Sequence, residues 1–211
     1  MKIRPDLLIL AVILAGSTYA VATQMGADPV GAAEEVRTLP IGGVVDDMPL
    51  HDWDGIPRRL LEWKGEKATV FYFWSIDCPC VPACQMRMQT IMDRFRNDGI
   101  SFVAIDSAVE DKGPEVFAHA AKIRAMYRML LDPSGRAARR LGGATSTDVV
   151  VIDANRRIRY RGAIDDALKA PKTPYLMPVL EAIVAGKEPP FRETTPYGCP
   201  FPWSDAVCEL R

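Results

Sequence analysis

The sequence predicts an α/β domain built on a central mixed β-sheet flanked by helices. Three observations carry that expectation. The run Ala68–Trp74 is continuous, apolar, β-branched and aromatic, the make-up of a central strand buried on both faces. Helical spacing follows it at once, and a second apolar strand, Ile100–Ile105, follows the helix, so strand and helix alternate. Further on, two short apolar segments flank Ala154-Asn155-Arg156, a hairpin that brings antiparallel pairing into the sheet.

Taken in order, the chain opens with an export pattern. Lys2 and Arg4 give a positive start, Leu7–Ala15 is apolar without interruption, and Ala20-Val21-Ala22 fits a small-x-small cleavage site. Residues 1–22 therefore read as a signal peptide. The apolar run is too short for a comfortable membrane span, so membrane attachment is expected only if the signal stays uncleaved. Residues 23–39, with Gly, Ala and Glu and no periodicity, read as a linker. A domain over 40–187 and a proline-rich tail over 188–211 complete the division.

Within the domain, Met48–Gly55 reads as a short strand and turn, followed by the Leu60-Leu61 pair. After the strand Ala68–Trp74, Cys84, Met88, Ile91, Met92 and Phe95 recur at helical spacing, and Asn97-Asp98-Gly99 marks the helix end. Gly113-Pro114 opens a second helix with proline in its first turn, and Val116, Ala120, Ile123 and Tyr127 line one side. Met129–Leu131 is strand-like, and Arg136–Leu141 is a short helix stopped by Gly142-Gly143. Asp148–Asp153 and Ile158–Arg161 form the hairpin, and Tyr175–Ala185 is a last helix. Beyond Glu188, five prolines forbid a helix, while Phe191, Tyr197, Phe201 and Trp203 offer anchors for an extended tail packed on the domain.

Composition narrows the function. Hydrophobic residues make up 48% of the 211 residues, enough for a sizeable core, and 26 Lys+Arg balance 27 Asp+Glu. No basic excess points to nucleic acid. Five cysteines in an exported chain invite disulfides, and the odd number leaves at least one thiol over.

Three of those cysteines sit where a buried strand hands over to a helix, in Trp74-Ser-Ile-Asp-Cys78-Pro-Cys80-Val-Pro-Ala-Cys84. Unpaired N–H groups and the positive end of a helix dipole favour thiolate, the form that attacks disulfides and peroxides. Asp77 opposes this locally. Cys78 reads as the nucleophile. Cys80 is close enough for a strained, easily reduced Cys-Pro-Cys disulfide. Cys84 lies on the Met88 stripe and reads either as a core thiol or as a resolving one. His51 and His119 are the only histidines, and His119, between Val116 and Ile123, reads as structural. Asp165-Asp166 reads as a turn or a cap.

Several stretches together resemble the extracytoplasmic redoxins, the thioredoxin-like, AhpC/TSA-type group that also holds peroxiredoxins and periplasmic thiol oxidoreductases. They are Phe71–Pro79, Leu130–Arg136 with Arg140–Gly142, Ser146–Asp153, Tyr160–Asp166 and the late Gly198-Cys199, and the likeness runs over about residues 40–200. The resemblance implies a thioredoxin-like fold and thiol chemistry. Three departures qualify it. The second position of a Cys-x-x-Cys motif holds Val81. The peroxiredoxin threonine or serine is matched by Ser75, but its proline position holds Phe71, which points away from an efficient peroxidase. The position of the thioredoxin cis-proline holds Thr147, where a cis bond would cost about 3 kcal/mol, so a trans peptide is expected. Backbone at that position pairs with substrate in the family, so Trp74, Ser75 and Thr147 are the expected substrate-binding residues.

The expected function is an extracytoplasmic, periplasmic-type thiol–disulfide oxidoreductase with Cys78, Cys80 and Cys84 as catalytic residues. Peroxide reduction is its close neighbour. Its partners are a protein or small-molecule disulfide or peroxide and a thiol reductant, and no cofactor is expected. Cys199 and Cys208 read first as a structural disulfide fixing the tail; the other reading has Cys199 fold back and resolve Cys78. The alternative function is a Cu(I)-binding protein resembling the Sco copper-delivery family, with Cys78, Cys80 and Cys84 as soft ligands. No histidine near Thr147 supplies that family's distal ligand.

Overall fold

The computed structural model describes residues 36–203. The signal segment, most of the linker and Cys208 lie outside the described residues. The strands are β1 (Pro49–His51), β2 (Pro57–Arg59), β3 (Ala68–Trp74), β4 (Ile100–Asp106), β5 (Arg128–Leu131), β6 (Thr145–Ser146), β7 (Val149–Asp153), β8 (Ile158–Gly162) and β9 (Cys199–Pro200). The helices are α1 (Cys80–Arg94), α2 (Gly113–Lys122), α3 (Arg136–Leu141) and α4 (Leu176–Val184).

Seven strands form one mixed sheet in the order β2-β1-β5-β4-β3-β7-β8. β3 pairs in parallel with β4, from Ala68↔Ile100 to Trp74↔Asp106, and antiparallel with β7 on its other side, from Ala68↔Asp153 to Tyr72↔Val149. Every residue of β3 is buried. Val70, Tyr72 and Trp74 face the layer of α1, α2 and α4, whereas Phe71 and Phe73 face α3 and the segment before β1. The alternation is the two-residue period of a strand, and a strand packed on both faces needs apolar residues at each step. The expected fold class, a mixed sheet flanked by helices, is the one found.

The hairpin forms as β7–β8 around residues 154–157, with a register shift at Val151/Ile152. α1 stops at Arg94, a little before the expected Asn97, because Phe95–Gly99 folds into turns in which Asp98 N–H donates to Phe95 O and Gly99 takes φ +74°. The segment near Met48 yields two strands, β1 and β2, paired from Pro49↔Arg59 to His51↔Pro57.

The tail is extended and held. Arg161 N–H donates to Arg192 O at 3.0 Å and Thr194 N–H to Arg161 O at 3.1 Å, which lays the tail along β8. Further on, β9 pairs antiparallel with β6, placing Ser146 opposite Cys199 and Thr145 opposite Pro200. Phe201 stacks on Trp203 and meets Phe73 edge-on, closing the sheet face that carries α3.

Candidate active site

The loop 144–148 is the scaffold of the site. Asp148 is buried and gathers the loop around its carboxylate: Ala144 N–H (2.9 Å), Thr145 N–H (3.1 Å) and the Thr145 hydroxyl (2.6 Å) all donate to it. Burial pushes the Asp148 carboxyl up to about 7 despite these donors. Thr147 has φ +153°, an unusual value for a β-branched residue, within a backbone free of cis bonds. The peptide before Thr147 is therefore trans, and the Ser146 carbonyl reaches the Cys78 sulfur at 3.8 Å.

The same loop holds the tail. Thr145 Oγ1, whose proton goes to Asp148, also lies 3.0 Å from Tyr197 O, Thr147 Oγ1 donates to the same carbonyl, and Ser146 Oγ donates to Cys199 O at 3.2 Å. Gly198 lies between them at φ +127°, and a Cβ there would fall 2.6 Å from Thr147 Oγ1. Only glycine lets the tail pass this close to the loop.

The consequence is a three-sulfur cluster. The Sγ atoms of Cys78, Cys80 and Cys199 all lie within 4.8 Å of one another. Cys80 is the first residue of α1, and Cys78 stands in the turn before it, ahead of the N-cap Pro79. The helix start therefore belongs to Cys80, and Cys78 faces it. Burial pushes the Cys78 thiol up, but hydrogen bonds from the side chains of Cys199 and Ser146 and from the backbone of Cys199 and Cys80 outweigh it. The net effect holds Cys78 below the ordinary thiol range, the direction a nucleophile needs.

Cys84 lies in a different environment. It is fully buried on α1, where its thiol points at Tyr197 Oη (3.9 Å) and Arg87 Nη2 donates to its sulfur at 3.5 Å. Burial pushes it up to about 11, against the pull of Arg87. Arg87 Nε pairs with Asp165 at 2.7 Å, and Tyr197 Oη donates to the other Asp165 oxygen at 2.6 Å. Cys84, Arg87, Asp165 and Tyr197 thus form one buried polar network that pins the tail two residues before Cys199.

The other expected residues take these places. Trp74 is sealed in the core, its ring against Tyr72, Tyr127 and His119. Ser75 is buried, and its carbonyl accepts from Cys78 N–H at 3.4 Å. Thr147 is covered by the tail. His119 packs on Trp74 at 5.8 Å, and burial lowers it. Sequence reasoning placed Tyr197 as an apolar anchor of the tail but missed the bonds of its hydroxyl, and it missed Arg87 and Asp148. Arg87 follows Cys84 at i+3, one helical turn on, and that spacing was the available signal.

Three comparisons bear on identity. A hypothetical protein from Sinorhizobium meliloti is 25% identical, with a TM-score of 0.70 over 81% of this chain and 98% of its own. An uncharacterized conserved protein from Geobacillus kaustophilus is 25% identical, with a TM-score of 0.69 over 81% and 95%. A DsbE thiol:disulfide interchange candidate from Chlorobium tepidum shares the fold at 19% identity, with a TM-score of 0.55 over 71% and 98%. No curated protein sequence matches the chain. The AhpC/TSA family model matches residues 41–161, more than half of the chain, from the segment before β1 to the second strand of the hairpin. With its mixed sheet and a cysteine-bearing turn from β3 into α1, the chain belongs to the AhpC/TSA family, a redoxin of the thioredoxin superfamily.

Proposed function

We propose that this redoxin is an extracytoplasmic thiol–disulfide oxidoreductase in which Cys78 attacks and Cys199 resolves. The observation that carries the reading is the placement of the Cys78 sulfur, held below the ordinary thiol range, within 4.8 Å of the Cys80 and Cys199 sulfurs. Cys78 thiolate attacks one sulfur of a substrate disulfide. A mixed disulfide forms, and the other substrate sulfur leaves as thiolate and takes a proton from water. Cys199 thiolate then attacks the Cys78 sulfur, releasing the second substrate thiolate and leaving a Cys78–Cys199 disulfide. An external thiol reductant returns both to the reduced state. With a peroxide, Cys78 becomes a sulfenic acid as alcohol leaves, and Cys199 condenses with it to the same disulfide and water.

Cys199 is preferred to Cys80 as resolver because a disulfide across a single intervening residue is strained. Cys84 is the weaker resolver, since its thiol is pushed up to about 11 and bonds Tyr197 rather than Cys78. The export pattern of residues 1–22 supports placement outside the cytoplasm. Among the described residues no helix is long and apolar enough to cross a membrane.

The test is disulfide mapping with turnover. Cys78→Ser is expected to abolish reduction of a small disulfide. Cys199→Ser is expected to release one equivalent of thiol and then stall as the mixed disulfide. Steady turnover by Cys199→Ser, or a Cys78–Cys80 bridge as the sole product in the wild type, would remove Cys199 from the resolving role.

A further inference from the structure

Two-electron thiol chemistry uses a pair of sulfurs, yet the tail and the α1 turn bring three together. Any disulfide among Cys78, Cys80 and Cys199 leaves one sulfur over. The three Sγ atoms lie within 4.8 Å of one another, and among the described residues this is the one group of metal-ligating side chains so disposed. Cys78 and Cys80 are buried, and Cys199 is half-buried.

We propose that the reduced cluster Cys78, Cys80 and Cys199 is a soft-metal site that takes one Cu(I) ion in three-coordinate thiolate ligation. A metal–thiolate bond of about 2.3 Å sets the sulfurs of a planar trigonal site about 4.0 Å apart. The present separations, all within 4.8 Å, therefore need to close by no more than about 0.8 Å. Soft thiolates select Cu(I) over harder ions, and Cu(I) is content with three ligands, whereas structural Zn(II) sites are almost always four-coordinate. His119, the histidine on the α2 side, packs at a tilt against Trp74 at 5.8 Å and belongs to that aromatic cluster.

The charge is met locally. Cys80 opens a helix of 15 residues, and backbone N–H groups of Cys80 and Cys199 already stabilise Cys78 thiolate. Binding converts three thiols and Cu(I) into a complex of charge −2 and releases up to three protons, fewer to the extent that Cys78 is already ionised. No electron is transferred, and copper enters and leaves as Cu(I). Formation of the Cys78–Cys199 disulfide removes two ligands, so the metal and the disulfide exclude each other.

This site differs from the set anticipated on the sequence in one ligand. Cys84, four residues and about one helical turn after Cys80 on α1, turns instead to Arg87 and Tyr197, and Cys199 takes its place. The inference stands on sulfur geometry and does not require the disulfide exchange proposed above.

The experiment is an anaerobic titration of the reduced full chain with Cu(I) alone, in competition with a chromophoric Cu(I) chelator. One ion per chain is expected. Cys80→Ser and Cys199→Ser are each expected to weaken affinity by at least about 100-fold, since even lost outer-shell partners of a metal cost 10- to 100-fold. Cys84→Ser is expected to bind as the wild type does. X-ray absorption of the wild-type complex is expected to show sulfur-only ligation and needs no variant to fold. Nitrogen or oxygen ligands, unchanged affinity in a folded Cys199→Ser, or loss of binding in a folded Cys84→Ser would overturn the site. Disulfide reduction, measured on the same protein without copper, reports on the oxidoreductase reading separately.

Discussion

Replacing Tyr197 with Phe tests how the tail is held. The ring stays, so the apolar burial that keeps Tyr197 only 7% exposed is retained. Only the hydroxyl goes, and with it the bond to Asp165 at 2.6 Å, the Arg87 donor at 3.3 Å and the Cys84 thiol contact at 3.9 Å. Asp165 keeps its ion pair with Arg87 at 2.7 Å, so the carboxylate is not stranded. A hydrogen bond to a charged group contributes about 1.5–3 kcal/mol, and we take about 2 kcal/mol. At 1.4 kcal/mol per factor of ten, the opening equilibrium of the tail should rise about 30-fold. The probe is amide hydrogen exchange at Phe201, whose N–H donates to Ala144 O at 3.0 Å and is broken when β9 leaves β6. Its protection should fall about 30-fold, and the amides of β3 should fall by a similar factor, because the native state is the reference for both openings. If β3 loses protection while Phe201 keeps its own, the tail does not part at Tyr197 and the anchoring argument fails. If neither moves, the hydroxyl contributes nothing net.

Two further outcomes follow from the titratable groups. In thiolate absorbance, Cys78 should ionise below the ordinary thiol value and Cys84 at about 11, a separation that Cys78→Ser and Cys84→Ser assign; the reverse order would contradict the hydrogen-bond account of Cys78. Burial raises the carboxyls of Asp148, to about 7, and Asp106, to about 9 beside Asp111, so the folded state holds their protons more tightly than the unfolded chain does. Their contribution is most favourable below about pH 4 and is lost as pH rises through 7 and then 9, by on the order of a few kcal/mol at 1.36 kcal/mol per pKa unit. Denaturant unfolding across pH 4–9 should show this decline and Asp148→Asn should flatten its lower half, whereas stability that climbs over that range would refute the assignment.

Much of the architecture was readable from residue type. β3 announces itself because a strand covered on both faces needs an apolar residue at every position, and Ala68–Trp74 has one at all but Thr69. α1 was readable from Cys84, Met88 and Ile91, which are buried as the spacing requires. The site was less legible. β6 and β9 are two residues each, too short for any periodicity, yet their pairing across more than fifty residues decides where Cys199 goes. On sequence alone, the nearer partner for Cys199 is Cys208, because loop closure favours short separations and nothing local announces a return to residue 146. Cys84 shows the opposite limit. Its helical stripe was visible, but whether a stripe cysteine faces the other thiols or a Tyr–Arg–Asp network depends on Tyr197, more than a hundred residues away.

The tail also sets the kinetics available to the site. Cys78 is 2% exposed and Cys80 is fully buried, with β9 lying against β6 beside them. If Cys78 attacks protein disulfides as proposed, such a substrate would have to wait for a unimolecular opening of that strand, whose rate owes nothing to the substrate. Observed rates with a folded protein disulfide should then level off at the opening rate as concentration rises, while those with a small oxidant keep climbing. On the proposed function that ceiling would belong to the chain itself, with β9 sorting large oxidants from small ones.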